Sequence, residues 1–435
     1  MTTQHHLARL RPAAVAGLAL AAAAVLAAPA YAATHGNRQV VLVNVTDAQA
    51  DAKSAINGTA QVASFDGTSV VFSTTAALVP EDTNGVDDVY LRSQPDATTI
   101  LVSRKGTTIG NDSSFEPTIS NDGRYVAFTT LATDLVRDRN GSTLDVVVHD
   151  MYTGKNRLVS VGTDGTQSKH GNSFFPVISG NGDAVSFQTF GRFGRKDTDR
   201  REDVYIRDLG HGRTSQVSLT PKGADVKPAV LNGDVSDNGH LVVFGENNSL
   251  WVRHVAKGTT TRFWHEPDAP PCSGFPAGSA GRPVISGDGT YVAFSSCATK
   301  LPGPATYGQV YRMKLASGAI RLVSRTKAGA GNSDSYLPSL SRSGRYVGFG
   351  SDATDVAPPT GGDTGGDPDA FVADLKLGTI TRASQAPDGT ESNNWSASTG
   401  AAISGDGHTL VYESYATNLV AGDQYDWEEV FAWHR

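Results

Sequence analysis

One nine-residue phrase, Ser-x-x-Gly-x-x-(Val/Leu)-x-(Phe/Tyr), occurs seven times in this 435-residue chain and constrains its fold more than any other feature. The copies are SFDGTSVVF from Ser64, SNDGRYVAF from Ser120, SGNGDAVSF from Ser179, SDNGHLVVF from Ser236, SGDGTYVAF from Ser286, SRSGRYVGF from Ser341 and SGDGHTLVY from Ser404. Their glycines (Gly67, Gly123, Gly182, Gly239, Gly289, Gly344 and Gly407) are spaced 50 to 63 residues apart. A unit of that period cannot bury its own apolar faces, so the copies must stack on one another. Length alone would suggest two or three domains; the repeat replaces that with a single array.

Each copy has a common layout. An apolar run, strand a, precedes the glycine turn, as in PTIS ending at Ser120 and PVIS ending at Ser179 and Ser286. Strand b follows the turn, and an Asp-Gly or Asn-Gly pair between them is a strong hairpin signal. Strand c opens on an acid: DVYLR from Asp88, DVVVH from Asp145, DVYIR from Asp203, DAFVA from Asp369 and EVFAW from Glu429. Strand d is the outermost, as in RLVSV from Arg157, SQVSL from Ser215 and IRLVS from Ile320. Runs such as Val204-Tyr205-Ile206 are apolar without alternation, which means burial on both faces. The sequence therefore predicts an all-β fold, a seven-bladed β-propeller of four-stranded blades. Forty-seven glycines and only three methionines agree with many turns and few long helices. Copy seven ends at Arg435 without a strand d, and Arg38 to Val45 has the missing pattern. The N-terminal strand is expected to complete the last blade and close the ring.

The first 32 residues read as a targeting segment. Arg9 and Arg11 precede an apolar run from Ala13 to Ala28 and the Ala30-Tyr31-Ala32 pattern that signal peptidase cuts after. The run is about 16 residues, short of the ~20 of a spanning helix, and Arg9-Leu10-Arg11 is not a twin-arginine pair. The expectation is a Sec-type signal peptide over residues 1–32, a secreted chain without membrane insertion, and a mature propeller over residues 33–435. Cleavage takes away two positive charges and no negative ones, moving the formal charge from −7 to −9. That balance, with no Lys/Arg block, argues against nucleic acid or an anionic membrane as partner. Cys272 and Cys297 are the only cysteines, read as one disulfide in an exported chain, with two buried free thiols as the alternative.

The stretch ISNDGRYVAFTTLATDLVRDRNGSTLDVVVHDMYTGKNRLVSVGTDG, Ile119 to Gly165, resembles the WD-like propeller repeat of the TolB family in its exported bacterial form. FSTTAALVPEDTNGVDDVYLR from Phe72, FSSCATKLPG from Phe294 and YESYATNLVAGDQYDWEEVF from Tyr412 carry the same resemblance, which covers essentially all of Gly36 to Arg435. It implies the fold and says little of function. The TolB protein itself carries an α/β domain before its propeller, for which the segment from Ala33 to Ser64 is expected to leave no room. Peptidase relatives add a hydrolase domain, and the chain has no G-x-S-x-G.

In a propeller the a–b and c–d hairpins share one face, while the longer b–c and d–a loops share the other, where function is expected. Two features fall on that loop face. The b–c loops are acidic: Asp82, Asn84, Asp87 and Asp88; Asp138, Asn140 and Asp145; Asp197, Asp199 and Asp203; Asp363, Asp367 and Asp369; Asp423, Asp426 and Glu428. Such oxygens suit calcium, with Asp82, Asn84, Asp87, Asp138, Asn140 and Asp145 as candidate ligands. The competing reading is that these residues cap tight turns. The d–a loops place Phe115, Phe174 and Tyr336 two residues before a proline, with Trp395 out of register. These four aromatics are candidates to stack on a ligand or to fill the wedge between blades.

The histidines show no converging set. His240 and His408 follow the a–b glycine, His149, His254 and His434 end strand c, and His170 and His265 lie in separate d–a loops. No catalytic residue or firm cofactor is assigned. The expected function is an exported non-catalytic propeller, monomeric, binding a protein, peptide or glycan through the loop face. The alternative is a glycan-active lyase or hydrolase whose site is assembled from several blades at the channel mouth.

Overall fold

Each copy of the phrase folds into the hairpin it predicts. The structure, a computed structural model, describes residues 33–35, 38–45 and 61–435, apart from 142, 169–170, 195–196, 198–200, 227–229, 247–248, 266–280, 299, 304–305, 359–361, 364 and 424–425. The expected signal segment, Cys272 and His170 lie outside the described residues. In every copy the leading serine Oγ accepts the N–H five residues on, as at Ser120 from Tyr125 (2.9 Å) and Ser404 from Thr409 (3.0 Å). In six of the seven the same hydroxyl donates to the acid or amide two residues later, as from Ser120 to Asp122 (2.6 Å) and Ser286 to Asp288 (2.7 Å), while copy six has Ser343 there. The glycine takes a φ of 63° to 80° in all seven turns, a conformation that penalises any Cβ.

The strands assemble as predicted, each blade an antiparallel meander. Blade 2 is Ser114–Ile119, Tyr125–Thr130, Asp145–Asp150 and Lys155–Leu158; blade 3 is Ser173–Ile178, Ala184–Thr189, Asp203–Asp208 and Arg213–Gln216. Blade 4 is Val230–Val235, Leu241–Glu246, Ser249–His254 and Thr259–His265; blade 5 is Gly281–Ile285, Tyr291–Ser296, Gln309–Lys314 and Ile320–Leu322. Blade 6 is Ser335–Leu340, Tyr346–Ser351, Asp369–Asp374 and Thr379–Arg382. Blade 1 has Ser69–Thr74, Asp88–Ser93 and Thr98–Leu101, and its strand a is a short ladder in which Val71 N–H donates to Val62 O and Ser64 N–H to Ser69 O.

Blade 7 closes the ring. Ser396–Ile403, Thr409–Ser414 and Glu429–His434 are joined by Arg38–Leu42, which pairs with the last strand from Gln39↔His434 to Leu42↔Phe431. A fifth strand, Ala33–His35, adds outside it, which the sequence pattern did not anticipate.

A second circuit runs through the a–b turns, each handing one backbone hydrogen bond to its neighbour. Phe65 N–H donates to Asn121 O, Asn121 to Gly180 O, Asn181 to Asp237 O, Asp237 to Gly287 O, Asp288 to Arg342 O, Arg342 to Gly405 O and Asp406 back to Phe65 O, all at 2.8 to 2.9 Å. Four side chains (Phe65, Asn121, Asp237 and Arg342) alternate with three glycines at this position. A Cβ on Gly287 would meet Asp237 at 2.5 Å, and one on Gly405 would meet the Phe65 ring at 2.5 Å.

The aromatic that ends each phrase fills the interior of the blade stack. Phe72, Phe128, Phe187, Phe244, Phe294, Phe349 and Tyr412 are all fully buried. Six of the seven face an aromatic directly across on strand c: Phe72–Tyr90, Phe187–Tyr205, Phe244–Trp251, Phe294–Tyr311, Phe349–Phe371 and Tyr412–Phe431, with centroids 5.5 to 6.4 Å apart. Blade 2 has Val147 opposite Phe128 instead. Phe294 also stacks on Trp264 at 6.2 Å. Phe294→Ala is expected to cost about 3–5 kcal/mol, because the rigid blades cannot close the void. Chemical unfolding followed by tryptophan fluorescence measures this; a loss below about 1 kcal/mol would contradict wedge packing at this position.

Candidate functional site

The two ends of the central channel differ. At the a–b end the turn circuit draws the blades together, and Arg342 Nε lies 3.1 Å from Asp237 Oδ2. The cavity beside them, lined by Gln61, Asn121, Asp234, Asp237 and Arg342 among others, is about 50 Å³. A small-molecule site takes roughly 300 Å³ or more, so this cavity is too small for one.

At the loop end strand a of blades 2 to 7 enters through a β-bulge. Glu116, Phe175 and Leu337 sit at equivalent positions with φ of 55°, 49° and 48°, each before a proline, and in the longer bulge of blade 7 Ala397, directly after Ser396, takes a φ of 56°. Non-glycine residues there carry roughly 1–2 kcal/mol of strain each. The bulge brings three blades into contact. Glu116 Oε2 accepts from Phe175 N–H (2.9 Å) and Thr129 Oγ1 (2.7 Å), and the Arg282 guanidinium lies 5.5 Å from the Phe175 ring centre. Burial pushes the carboxyls of Glu116 and Glu202 up, and the charge of Arg282 opposes that shift in both. Sequence reading missed this cluster, because its members are contributed by blades 2, 3 and 5 and nothing local marks them.

The four predicted aromatics have different surroundings. Phe115 is half-buried opposite Thr129. Phe174 is half-buried against Phe175 (5.2 Å) and Phe190 (5.7 Å). Tyr336 lies across from Gly350, where a Cβ would strike its ring at 2.7 Å, and donates its hydroxyl to Asp352 (2.8 Å). Trp395 accepts through its carbonyl from Tyr415 N–H (2.9 Å) and Ser414 Oγ (3.0 Å), and it is 51% exposed. Among the described residues no ring stacking joins these four. Two further exposed aromatics lie in b–c loops of the same face, Phe190 (39%) in blade 3 and Trp427 (36%) in blade 7, and were not singled out from sequence.

The acid that opens strand c has one recurring role. Asp88, Asp145, Asp203 and Asp369 each accept the hydroxyl of the serine just after strand d, Ser103, Ser160, Ser218 and Ser384, at 2.5 to 2.6 Å. The same serines accept the N–H following the acid, as at Val89 (3.0 Å) and Ala370 (2.9 Å). In blade 5 Gln309 replaces the acid and accepts from Ser324 (2.7 Å). The device pins the edge strand to strand c.

Five of the six residues named as calcium candidates, Asp82, Asn84, Asp138, Asn140 and Asp145, have side chains engaged within the protein. Asp82 accepts the Tyr90 hydroxyl, Asn84 donates to Gly110 O (3.0 Å) and accepts Val86 N–H (3.1 Å), and Asp87 follows in the same turn, its carbonyl accepting Ser114 N–H (2.7 Å). In blade 2 the Gln167 amide nitrogen stands among Asp138 (3.2 Å), Asn140 (2.9 Å) and Asp145 (3.2 Å). In blade 6 the Arg382 guanidinium pairs with both Asp363 and Asp369. The repeated Ala-Thr-(Asp/Asn) of the b–c loops is a clamp: Asn111, Asn332 and Asn393 exchange hydrogen bonds with Thr133, Thr354 and Thr417 at 2.8 to 3.0 Å. Buried His149 is bonded through Nδ1 to Asn156 (2.7 Å), and desolvation holds its pKa low. Among the described residues the clusters able to hold a metal contain carboxylates alone.

With this geometry the fold is that of the β-propellers. The propeller domain of the trilobed protease from Pyrococcus furiosus, described as having an open velcro topology, matches with a TM-score of 0.50 and 12% identity over 84% of this chain and 90% of that one. TolB from Acinetobacter baumannii matches with a TM-score of 0.39 and 12% identity over 68% of this chain, which spans 59% of that protein. A TolB-like structure from Agrobacterium tumefaciens gives 0.38 and 16% over 66% and 83%. No protein-family model matches the sequence, and no curated protein does. The chain thus shares the propeller architecture of the trilobed protease domain, with its ring closed by the N-terminal strand.

The buried acids make stability depend on pH. Asp88 is fully buried, and desolvation pushes its carboxyl up to about 7, with Asp82 and Asp87 adding repulsion. An unfolded aspartate titrates near 4, so the folded state binds the extra proton and stability falls as pH rises from about 4 to about 7. Asp88→Asn keeps the acceptor for Ser103 and is expected to remove part of that fall. Thermal midpoints across this range test it; an unchanged slope would contradict a protonated Asp88.

Proposed function

We propose that the chain is an exported, non-catalytic propeller that takes a protein, peptide or glycan ligand on its b–c/d–a face. One observation carries the reading: Phe190, Trp395 and Trp427 are solvent-exposed on that face, while the opposite end of the channel is drawn shut by the turn circuit. Among the described residues the other exposed large apolar side chains, Tyr152 and Leu377, stand singly on c–d turns of different blades. Aromatic rings held on rigid backbone suit stacking on sugar rings or apolar side chains at little entropic cost.

Export rests on the leader-like segment 1–32, whose removal leaves Ala33 at the start of the outermost strand of blade 7. The same compartment supports a Cys272–Cys297 bridge. Cys297 is buried just after strand b of blade 5, and a bridge from it would tie down the d–a loop that carries Cys272. The alternative, a glycan-active enzyme, is favoured by Glu116 and Glu202, two carboxyls pushed up by burial at the channel mouth.

A glycan and peptide array, with turnover assayed on every hit, distinguishes the readings. Trp395→Ala is expected to weaken binding at least about tenfold, which corresponds to ~1.4 kcal/mol, and to leave the thermal midpoint unchanged. Wild-type affinity in both Trp395→Ala and Trp427→Ala would refute the face. Turnover abolished by Glu202→Gln would establish the enzyme instead.

A further inference from the structure

Blades 3 and 6 carry corresponding carboxylate triads, each partly buried, and the two differ in what neutralises them. In blade 6 the triad is Asp363, Asp369 and Glu391; in blade 3 it is Asp197, Asp203 and Asp225. In each triad one oxygen from every member lies within 4.8 Å of the others. The positions correspond. Asp363 and Asp197 precede strand c by six residues, Asp369 and Asp203 open it, and Glu391 and Asp225 follow strand d in a bridged turn (Gln385↔Glu391 and Leu219↔Asp225). The last residue of strand d faces the triad: Arg382 in blade 6 and Gln216 in blade 3.

Arg382 supplies a fixed positive charge, pairing with Asp363 and Asp369 from a side chain only 1% exposed. Gln216 supplies none. Its Nε2 donates to Asp203 Oδ1 (3.0 Å) and Asp225 Oδ1 (2.7 Å), and its Oε1 and Asp203 Oδ2 have no hydrogen-bond partner among the described residues. Asp203 is 2% exposed and Gln216 7%. A buried anionic oxygen without a partner is costly. Around it the Tyr205 hydroxyl donates to Asp197 Oδ2 (3.1 Å), and Arg192, half exposed, reaches Asp197 Oδ1 at 3.9 Å. Asp225 is only partly buried, which leaves water access on one side.

We propose that blade 3 binds a calcium ion with Asp197, Asp203 and Asp225 as carboxylate ligands and the Gln216 side-chain oxygen beside them, a cation standing where blade 6 has its arginine. The donor set is hard oxygen throughout, which suits a cation that takes about six to eight oxygen ligands and completes its shell with water. Blade 2 settles its counterpart with the Gln167 amide, and blade 5 has no acid there, since Gln309 opens its strand c.

The test uses the full chain after EDTA treatment, with terbium as probe. Tyr205, bonded to Asp197, is placed to sensitise terbium emission on tyrosine excitation, and calcium should displace that emission while raising the thermal midpoint. Asp203→Asn and Asp225→Asn are expected to weaken binding about tenfold or more. Gln216→Arg, which rebuilds the blade 6 solution, should abolish terbium emission and raise the midpoint in EDTA, and it keeps the test valid where an aspartate variant fails to fold. Glu391→Gln in blade 6 should leave emission unchanged. Absence of any calcium-dependent shift in the wild type, or emission that survives both Asp203→Asn and Gln216→Arg, would overturn the proposal.

Discussion

The seventh blade borrows its outer strand from the other end of the chain, and every other feature of the ring depends on that loan. Arg38–Leu42 pairs with Glu429–His434, so the first and last blades are held to each other by a β-ladder as well as by side-chain packing. An open ring would leave the sides of two blades in water, with Val70, Phe72, Val411 and Val430, all now at zero exposure, partly uncovered. Closure also makes the turn circuit possible. The hydrogen bond from Asp406 to Phe65 O exists only because blade 7 abuts blade 1.

Closure also divides the labour between the two faces. Drawing seven turns together leaves about 50 Å³ beside them, and the alternation of Phe65, Asn121, Asp237 and Arg342 with glycines packs what remains. The splayed end has bulges instead. There the strained backbone of Glu116 and Phe175 turns side chains toward the channel mouth, and Arg282 reaches them from blade 5. A ligand surface can vary at this end without disturbing the circuit at the other, since the b–c and d–a loops take no part in it.

The legibility of the chain followed the range of the interactions. The phrase exposed all seven hairpins because its serine, glycine and terminal aromatic each answer a local demand: a hydroxyl to cap the turn, a positive φ, and a ring for the wedge. Strand c was legible in five blades by its opening acid and passed over in blades 4 and 5, where Ser249 and Gln309 take its place. The strand Ala33–His35 was invisible because three residues carry no pattern. Trp395 was singled out for breaking register, and it is indeed the most exposed aromatic of the four named. The Glu116–Arg282–Glu202 cluster and the alternation in the turns arise from blades far apart in sequence, and no linear signal marks them.

Amide hydrogen exchange at the seven turn donors, Phe65, Asn121, Asn181, Asp237, Asp288, Arg342 and Asp406, tests closure most directly. If the ring is one cooperative circuit, all seven exchange only through global unfolding with a common free energy, and deleting residues 33–45 lowers all seven together. Loss of protection confined to Phe65 and Asp406, with the other five unchanged, would contradict it.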